Sequence, residues 1–405
     1  MPELDQIDPL DPDVVECPWD YYRSLRDAGG VYRVPGRGFF LVGRYETAMR
    51  VLKDTATFSS KAGVAVPRTP DGSHRPAEGD AVRTLLTADP PEHRKYRDLV
   101  NRAFSQKRMT SWEGNIRAIT DDLIDGFIGA GRCELIYDFA VPLPLIVISD
   151  ALGLPREHLR QFKQWSDGIA RFGGLTTPED EARIAKELGA FGAYVAAMIE
   201  ERRNNLGDDF ISDLIRSRFD GDRPLTLPEL VSITMQFLVA GNETTTNTIA
   251  SGMVLLLRHP EQMAAASADF SLIPNLVEEV LRVEAPVQAH FRVASRDTVL
   301  DGVAIPEGAG VGVVFGCCNR DEATFPDPET FDITRGNAGR HLAFSQGIHY
   351  CPGAPLARIE TVIAFEQLLG RLRNIRLDEA NSDLRHVPSF THRGLRKVAL
   401  TFDPA

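Results

Sequence analysis

The chain has 405 residues, of which 43% are hydrophobic and 25% charged, so it contains ample material for a large buried core. Its formal net charge of -12 argues against a general nucleic-acid-binding protein, and its five cysteines argue against a disulfide framework. The N-terminal segment lacks the features of a signal peptide, and no apolar run approaches the roughly 20 residues of a membrane span, so we expect a cytoplasmic protein.

The first third of the chain predicts two strands followed by helices. The strands are expected between residues 31 and 42, around a glycine turn. Residues 59–80, rich in glycine, proline and charge, have the composition of a long functional loop. Helical patterning then runs from 92 to about 152, with an interruption around 141–145. Two further helices are predicted at 157–172 and 178–204.

The longest predicted helix begins after Thr226 and ends near Arg258. Thr226 and Glu229 form a capping-box pattern, and about 33 residues give a length of about 50 Å. Its middle, "FLVAGNETTTNTIA", places a glycine, an acid and three threonines in an apolar run. The glycine alone costs roughly 1 kcal/mol there. Either the threonines bond back to carbonyls four residues earlier, or this segment lines a groove.

The following segments predict one more helix, a hairpin and a final helix. The helix at 273–283 carries Glu279 and Arg282 three residues apart, a spacing most often found in solvated surface pairs. Asp301 and Gly302 favour a tight hairpin turn. The last helix begins near Pro355. Because no internal repeat or linker is found, residues 1–405 are expected to form a single, mainly α domain with a minor β-sheet.

One cysteine, Cys351, lies in the loop-forming stretch "FSQGIHYCPG", directly before the last helix. A lone thiol most often serves as a small core side chain. At a helix N-terminus, however, the helix dipole and free N–H groups favour the thiolate. A single thiolate is a poor structural zinc site, but it suits haem iron, for which the protein supplies one axial ligand.

This stretch resembles the haem-binding signature of the cytochrome P-450 family, F-x-x-G-x-H-x-C-x-G. The "GAPLAR" that follows it and the earlier "EEVLR", similar to the family's E-x-x-R helix, strengthen the match. The resemblance extends from about residue 8 to 402. It implies the cytochrome P-450 fold, with haem b (iron protoporphyrin IX) between the long central helix and the cysteine-bearing loop.

The resemblance also implies roles for individual residues. Cys351 would be the axial iron ligand, and Gly241 would leave room beside the iron. Thr244 would hydrogen-bond dioxygen and order a water, while Glu243 would relay protons. The remaining residues are the candidate propionate donors His93, Arg97, Arg292 and His349, the loop residues Phe344 and Gly353, and the structural pair Glu279 and Arg282 with Arg335 as a third partner.

The substrate pocket is expected between the long helix, residues 286–291 and the 59–86 loop, with the turn at 171–180 as a mobile lid. Apolar lining favours a lipophilic small molecule, such as a steroid, terpenoid, fatty acid or polyketide-like compound. His290 and Gln288 are candidates to orient a polar group on it. The predicted lining residues are Leu85, Phe172, Phe237, Val239, Ala240, Val287, Ala289 and Phe390.

The implied activity is that of a ferredoxin-dependent monooxygenase that inserts one oxygen atom from O2 into its substrate. No flavin or iron–sulfur motif is present, so electrons are expected from NAD(P)H through a ferredoxin reductase and a ferredoxin. Residues 93–108, a basic stretch, and Arg358 form either a docking patch for an acidic ferredoxin or a solvated face. A peroxide-driven peroxygenase and a non-catalytic haem sensor are the alternatives, and Glu243 and Thr244 argue against both.

Two residues depart from the pattern of the family. Ser345 occupies a position where glycine is common. Pro352 follows the cysteine where an N–H group normally points at the sulfur, and proline has none. We hypothesise that the missing hydrogen bond makes the thiolate more electron-donating and lowers the haem potential. Alternatively, Pro352 only stiffens the entry into the helix.

Overall fold

The computed structural model describes residues 4–61, 66–67, 82–103, 106–172, 178–219, 221 and 223–405. The helices are α1 (Pro12–Glu16), α2 (Trp19–Asp27), α3 (Tyr45–Lys53), α4 (Glu92–Ala103), α5 (Gln106–Ile128), α6 (Pro142–Leu152), α7 (Leu159–Phe172), α8 (Pro178–Asn204), α9 (Phe210–Arg216), α10 (Leu227–Arg258), α11 (Pro260–Ala268), α12 (Ile273–Val283), α13 (Phe315–Cys318) and α14 (Ala354–Arg371). The strands are β1 (Val31–Arg33), β2 (Phe40–Val42), β3 (Phe58–Ser59), β4 (Arg132–Glu134), β5 (Arg218–Phe219), β6 (Arg223–Pro224), β7 (Ala289–Ala294), β8 (Thr298–Leu300), β9 (Val303–Ile305), β10 (Gly310–Val314), β11 (Leu372–Leu377), β12 (Asp383–His386), β13 (Leu395–Lys397) and β14 (Ala399–Pro404).

The largest sheet has five strands in the order β1-β2-β10-β7-β3, in which β2 and β10 are parallel. The two strands predicted at 31–42 are β1 and β2, which pair antiparallel. The predicted hairpin is β8–β9, and its turn residues Asp301 and Gly302 have φ of 50° and 81°, the left-handed values that a type I′ turn requires. Both predictions are confirmed, and the mainly α architecture with small sheets is the predicted one.

The long helix α10 is the centre of the fold. Its predicted capping box is confirmed, because the Thr226 hydroxyl accepts from the N–H of Glu229 and the Glu229 carboxylate accepts from the N–H of Thr226 at 2.7 Å. Every residue from 245 to 256 is buried, since α6, α8, α12 and α14 pack around the helix. None of the helices in the described ranges, α10 included, combines the length and hydropathy of a membrane span.

The helical run expected from 92 to 152 is interrupted earlier than predicted. Strand β4 and a π-helical turn (Ile136–Ala140) break it, whereas Pro142 begins α6 in the first turn, where its missing N–H is not needed. The reason is tertiary, because β4 pairs with β14 near the C-terminus, a partner that local patterning does not reveal. Most of the 59–80 loop and the turn at 173–177 lie outside the described residues.

Glu279 and Arg282 form a buried ion pair, not a surface pair. Both side chains are completely buried, and Nε and Nη2 of Arg282 donate to the two carboxylate oxygens at 2.7 and 2.8 Å. Arg335 donates to the same carboxylate at 3.0 Å, as the sequence resemblance predicted for a third partner. Arg282 also donates to the carbonyls of Asn319, Pro328 and Thr330. The network therefore joins α12 to the segment that leads into the cysteine-bearing loop.

Candidate active site

Cys351 lies between a 3-10 turn (Gly347–His349) and the first turn of α14. Its N–H donates to the carbonyl of Phe344 at 2.9 Å, which closes the loop. Burial raises the pKa of the thiol, while the backbone N–H groups of Gly353 and Ala354 oppose this rise by donating toward the sulfur. The loop thus presents one sulfur with two backbone donors aimed at it.

The loop contains two left-handed backbone positions, Ser345 with φ of 60° and Gly347 with φ of 71°. A side chain at Gly347 would meet the carbonyl oxygen of Leu52 at 2.7 Å, so glycine is required there. At Ser345 the same conformation costs a residue with a side chain roughly 1–2 kcal/mol. Its hydroxyl is also buried without a hydrogen-bond partner within the described residues. These facts explain why glycine suits this position.

The four predicted propionate donors converge beside the cysteine-bearing loop. The rings of His93, on α4, and His349 lie 4.3 Å apart. Burial, with the nearby charge of Arg292, lowers the pKa of His349 to about 3, so its imidazole is neutral. Burial likewise lowers the pKa of His93, and the neighbouring Arg97 adds to this effect.

Neither arginine of this group forms an ion pair within the described residues, although the charge of Asp89 counteracts the effect of burial on the pKa of Arg292. The Arg292 side chain, on β7, is fully buried, and its guanidinium donates to the carbonyl of Phe291. Burial lowers its pKa to about 10. Arg97 is half-buried, and no hydrogen bond or ion pair to it occurs in the described part of the chain. Because buried guanidinium groups need anionic partners, the two carboxylates of a haem fit this site.

One face of α10 opens in the middle of an otherwise buried helix. Ala240 is exposed there and Thr244 is half-buried. The Thr244 hydroxyl donates to the Ala240 carbonyl at 3.0 Å, and the Thr248 hydroxyl donates to the Thr244 carbonyl at 2.8 Å. Back-bonding by threonine is therefore present on this exposed part of the helix, and α10 continues without a break. Because the hydrogen of the Thr244 hydroxyl is donated to the Ala240 carbonyl, the hydroxyl oxygen can only accept a hydrogen bond from a group in the opening.

Gly241 and Phe237 point away from this opening, which corrects two predictions. A Cβ at Gly241 would meet Ile148 of α6 at 3.3 Å, so the glycine makes room for α6 and not for the iron. The Phe237 ring packs against Phe210 of α9 at 4.8 Å. Gly241 follows Ala240 and therefore lies about 100° around the helix from it, and Phe237, four residues before Gly241, shares the face of Gly241.

Five other predicted pocket residues pack within or against hydrophobic clusters. Strand alternation directs Ala289 toward α2, where Phe390 also packs, and Val287 is buried beneath the large sheet. Gln288 also faces α2, because the Tyr22 hydroxyl donates to its side chain at 2.8 Å. Leu85 and Val239 pack against the main hydrophobic core. The side chain of Phe172 lies outside the described residues.

The sequence analysis missed a polar network beside the opening. Gln236 lies one turn before Ala240, and its amide oxygen accepts from the N–H of Leu86 at 3.2 Å. Its amide nitrogen donates to the Thr84 hydroxyl at 2.7 Å, which contacts Ser232 at 2.8 Å. The i, i+4 spacing of Ser232, Gln236 and Ala240 was the signal available in the sequence. The network ties residues 84–86 to α10.

Two arginines of the predicted docking patch form ion pairs within the chain. Both Nε and Nη2 of Arg358 donate to Glu278, at 2.6 and 2.8 Å, and Arg358 also contacts the Tyr350 hydroxyl. Arg108 pairs with Asp213 and Asp208. These pairs reduce the charge available to a partner, so the predicted patch is smaller than its sequence suggests.

Comparison with known proteins gives concordant matches over nearly the whole chain. A family model described as Cytochrome P-450 matches residues 175–271 and 263–382. The chain is 37% identical to the cytochrome P-450 monooxygenase PikC of Streptomyces venezuelae, covering 98% of this chain and 94% of that protein. It is 34% identical to a steroid C26-monooxygenase of Mycobacterium tuberculosis (95% and 93%) and to the 6-deoxyerythronolide B hydroxylase of Saccharopolyspora erythraea (95% and 96%).

Solved structures agree with these sequence matches. A cytochrome P-450 from Chondromyces apiculatus has a TM-score of 0.87 and 37% identity over 99% of both chains. Another, from Bacillus megaterium in complex with testosterone, also has a TM-score of 0.87, with 33% identity over 96% of this chain and 99% of that chain.

Proposed function

The chain belongs to the cytochrome P-450 family and is a monooxygenase, and we propose that it inserts one oxygen atom from O2 into a lipophilic small molecule of steroid or polyketide-like type. One observation carries the proposal beyond its family membership. Within the described residues no ion pair forms to the guanidinium groups of Arg97 and Arg292, which lie close to Cys351 and to His349, respectively. The names of the relatives, among them a steroid C26-monooxygenase and a 6-deoxyerythronolide B hydroxylase, support the substrate class.

The cofactor we propose is haem b. Cys351 would be its axial ligand, and Arg97, Arg292, His93 and His349 would hold its carboxylates by charge and hydrogen bonds. Bound in this way, haem supplies an iron centre that activates O2 and accepts electrons one at a time. The protein contributes the thiolate, the counter-charges and a largely buried setting, in which each of these interactions is strengthened.

Thr244 and Glu243 would control protons at the opening on α10. Because the Thr244 hydroxyl donates to the Ala240 carbonyl, its oxygen accepts a hydrogen bond from a water or a protonated group in the cavity. Glu243 is the next residue along the helix and is partly exposed, so its carboxylate can exchange protons with solvent. Together they hold a water and pass a proton to it.

Replacing Thr244 with alanine tests this role. In a ferredoxin and reductase system with testosterone as the first probe, we expect NAD(P)H oxidation to continue while product per NAD(P)H falls roughly tenfold or more. Hydrogen peroxide should account for the difference. The measurements are NAD(P)H, peroxide and product from the same reaction.

Thr246→Ala is the matched control, since the Thr246 hydroxyl donates to the Ala140 carbonyl at 2.9 Å, away from the opening. Its coupling should match that of the unmodified protein. Equal coupling in both variants would remove Thr244 from the mechanism. Product from hydrogen peroxide but not from NAD(P)H and O2 would identify a peroxygenase, and no product from either would favour a sensor.

The electron donor we propose is a ferredoxin that docks on the face carrying the cysteine-bearing loop. Ile348 is exposed there, and Arg94 on α4 is also exposed. Since Arg358 and Arg108 already pair within the chain, the docking charge would be modest and the contact partly apolar. We therefore expect electron transfer rates to fall only weakly with ionic strength, as stopped-flow reduction would measure.

Pro352 would lower the haem potential by removing one donor to the sulfur. The N–H groups of Gly353 and Ala354 donate toward the sulfur, whereas residue 352 has no N–H. We expect Pro352→Leu to raise the haem potential by about 50 mV, because the added backbone N–H at position 352 stabilises the more negative reduced state. A shift of 59 mV corresponds to about 1.4 kcal/mol for one electron. A spectroelectrochemical titration measures it.

Pro355→Ala, in the first turn of α14 but not adjacent to the cysteine, is the control for a general effect of proline. Its potential should not change. If the potential of Pro352→Leu also stays at the original value, the proline serves only to stiffen the entry into α14.

A further inference from the structure

Two serines at the end of β3 connect the start of α4 to the cysteine-bearing loop. The Ser59 hydroxyl and the Ser60 N–H both donate to the carboxylate of Asp89, the latter at 2.9 Å. The Ser60 hydroxyl contacts Nε2 of His349 at 3.0 Å. The mechanism above uses His349 but assigns no role to Ser60 or Asp89.

Asp89 fixes the position of Ser60. It is buried, and its carbonyl accepts from the N–H of His93, so it lies at the first turn of α4. Its carboxylate holds the end of β3 at the same point. The end of β3 and the start of α4 are thereby held together, and Ser60 is completely buried. The Ser60 hydroxyl therefore has little freedom to move away from His349.

The hydrogen-bond balance of Ser60 decides the tautomer of His349. The buried Ser60 hydroxyl can donate its hydrogen to Nε2 only if that ring nitrogen carries no hydrogen of its own, as in a neutral imidazole protonated at Nδ1. Within the described residues, His349 is the one partner of the Ser60 hydroxyl. If Nε2 carried the hydrogen, the buried Ser60 hydroxyl would have no acceptor for its own hydrogen, which is costly. Ser60 therefore donates, Nε2 accepts, and Nδ1 carries the hydrogen.

We propose that Ser60, held by Asp89, is a positioning residue that fixes the tautomer of His349, so that its Nδ1–H donates to the carboxylates that Arg97 and Arg292 are placed to bind. This inference rests on the proposed haem site and deepens it. Nδ1 has no hydrogen-bond partner in the described part of the chain, as a donor reserved for a ligand requires. Without the Ser60 hydroxyl, no hydrogen bond within the described residues favours the Nδ1–H tautomer of His349. The imidazole would then carry its hydrogen on Nε2 for part of the time, and Nδ1 could not donate to the carboxylates.

The test is the rate at which the holoenzyme loses haem to excess apomyoglobin at neutral pH. We expect Ser60→Ala to release haem roughly tenfold faster, the effect of one hydrogen bond to a charged group. Ser60→Thr keeps the hydroxyl and should restore the original rate. Ser212→Ala is the matched control, because Ser212 is also completely buried and donates to a carboxylate, that of Asp209, but contacts neither Asp89 nor His349. Its rate should stay within about twofold of the original.

The inference is overturned if Ser60→Ala releases haem at the original rate, if Ser212→Ala releases it as fast as Ser60→Ala, or if Ser60→Thr fails to restore the rate. Reconstitution with the dimethyl ester of haem, which lacks free carboxylates, should abolish the difference between Ser60→Ala and the unmodified protein, and a persistent difference also overturns it. The CO difference spectrum of the unmodified protein tests the proposed function separately. If the unmodified protein shows the thiolate-type band but Ser60→Ala releases haem at the original rate, only the proposed role of Ser60 is rejected. If the unmodified protein binds no haem, the proposed haem site itself is rejected.

Discussion

Changing Cys351 to serine will abolish the strongly red-shifted Soret band that the reduced, CO-treated protein is expected to show. The expected band depends on a thiolate bound to haem iron, and a hydroxyl neither ionises readily nor donates comparable electron density. Monooxygenase activity should fall to background, because none of the other four cysteines lies in the loop that carries Cys351. The remaining cysteines are exposed (Cys17) or buried in hydrophobic clusters (Cys133, Cys317 and Cys318).

Cys17→Ser is the control for the loss of a thiol. It lies in an exposed segment between α1 and α2, so its spectrum should match that of the unmodified protein. The measurement is the CO difference spectrum together with the haem content of each protein. Persistence of the red-shifted band in Cys351→Ser would mean that a different residue binds the iron.

Changing Glu279 to glutamine should destabilise the fold by about 3–5 kcal/mol, the usual cost of removing one partner of a buried ion pair. Arg282 and Arg335 would both lose their shared anion inside the core. A loss of this size is a large part of the roughly 5–15 kcal/mol that holds a typical domain together. We expect a much lower urea midpoint by circular dichroism and poor haem retention.

The matched control is Asp20→Asn. Asp20 and Arg23 have the same i, i+3 spacing on α2, but both side chains are at least half exposed. Such a pair contributes less than about 1 kcal/mol, so its urea midpoint should hardly move. Similar shifts in the two variants would show that the Glu279 pair is no more important than a surface pair.

Local sequence patterns predicted much of the secondary structure. The capping residues of α10 and the Asp301–Gly302 turn act over three or four residues, so their signals stand directly in the sequence. Strand β4 was missed because its partner β14 lies more than 260 residues away in the chain. A three-residue strand has too little pattern of its own to override a helical neighbourhood.

The candidate site was predicted unevenly, and the pocket face of α10 shows why. Helical spacing of i, i+3, i+4 and i+7 predicted that Phe237, Ala240, Gly241 and Thr244 share one face of α10. The exposed part of the helix is narrower than the face that this spacing defines. The positions of α6 and α9 decide which of these residues are covered. Likewise, alternation along β7 predicts two faces but does not say which of them lies toward α2.

The sequence by itself determined the family resemblance, the cysteine of the haem-signature loop (Cys351) and the identities of the basic residues. These are residue types at fixed spacings along the chain, so no folded structure is needed to recognise them. Only the tertiary structure decided that Glu279 and Arg282 are buried, that no ion pair to Arg97 or Arg292 forms within the described residues, and that Ser60 contacts His349. Burial and partnership depend on segments brought together from distant parts of the chain. They fix the charge state, the tautomer and the energetic cost of each group, which spacing alone does not carry.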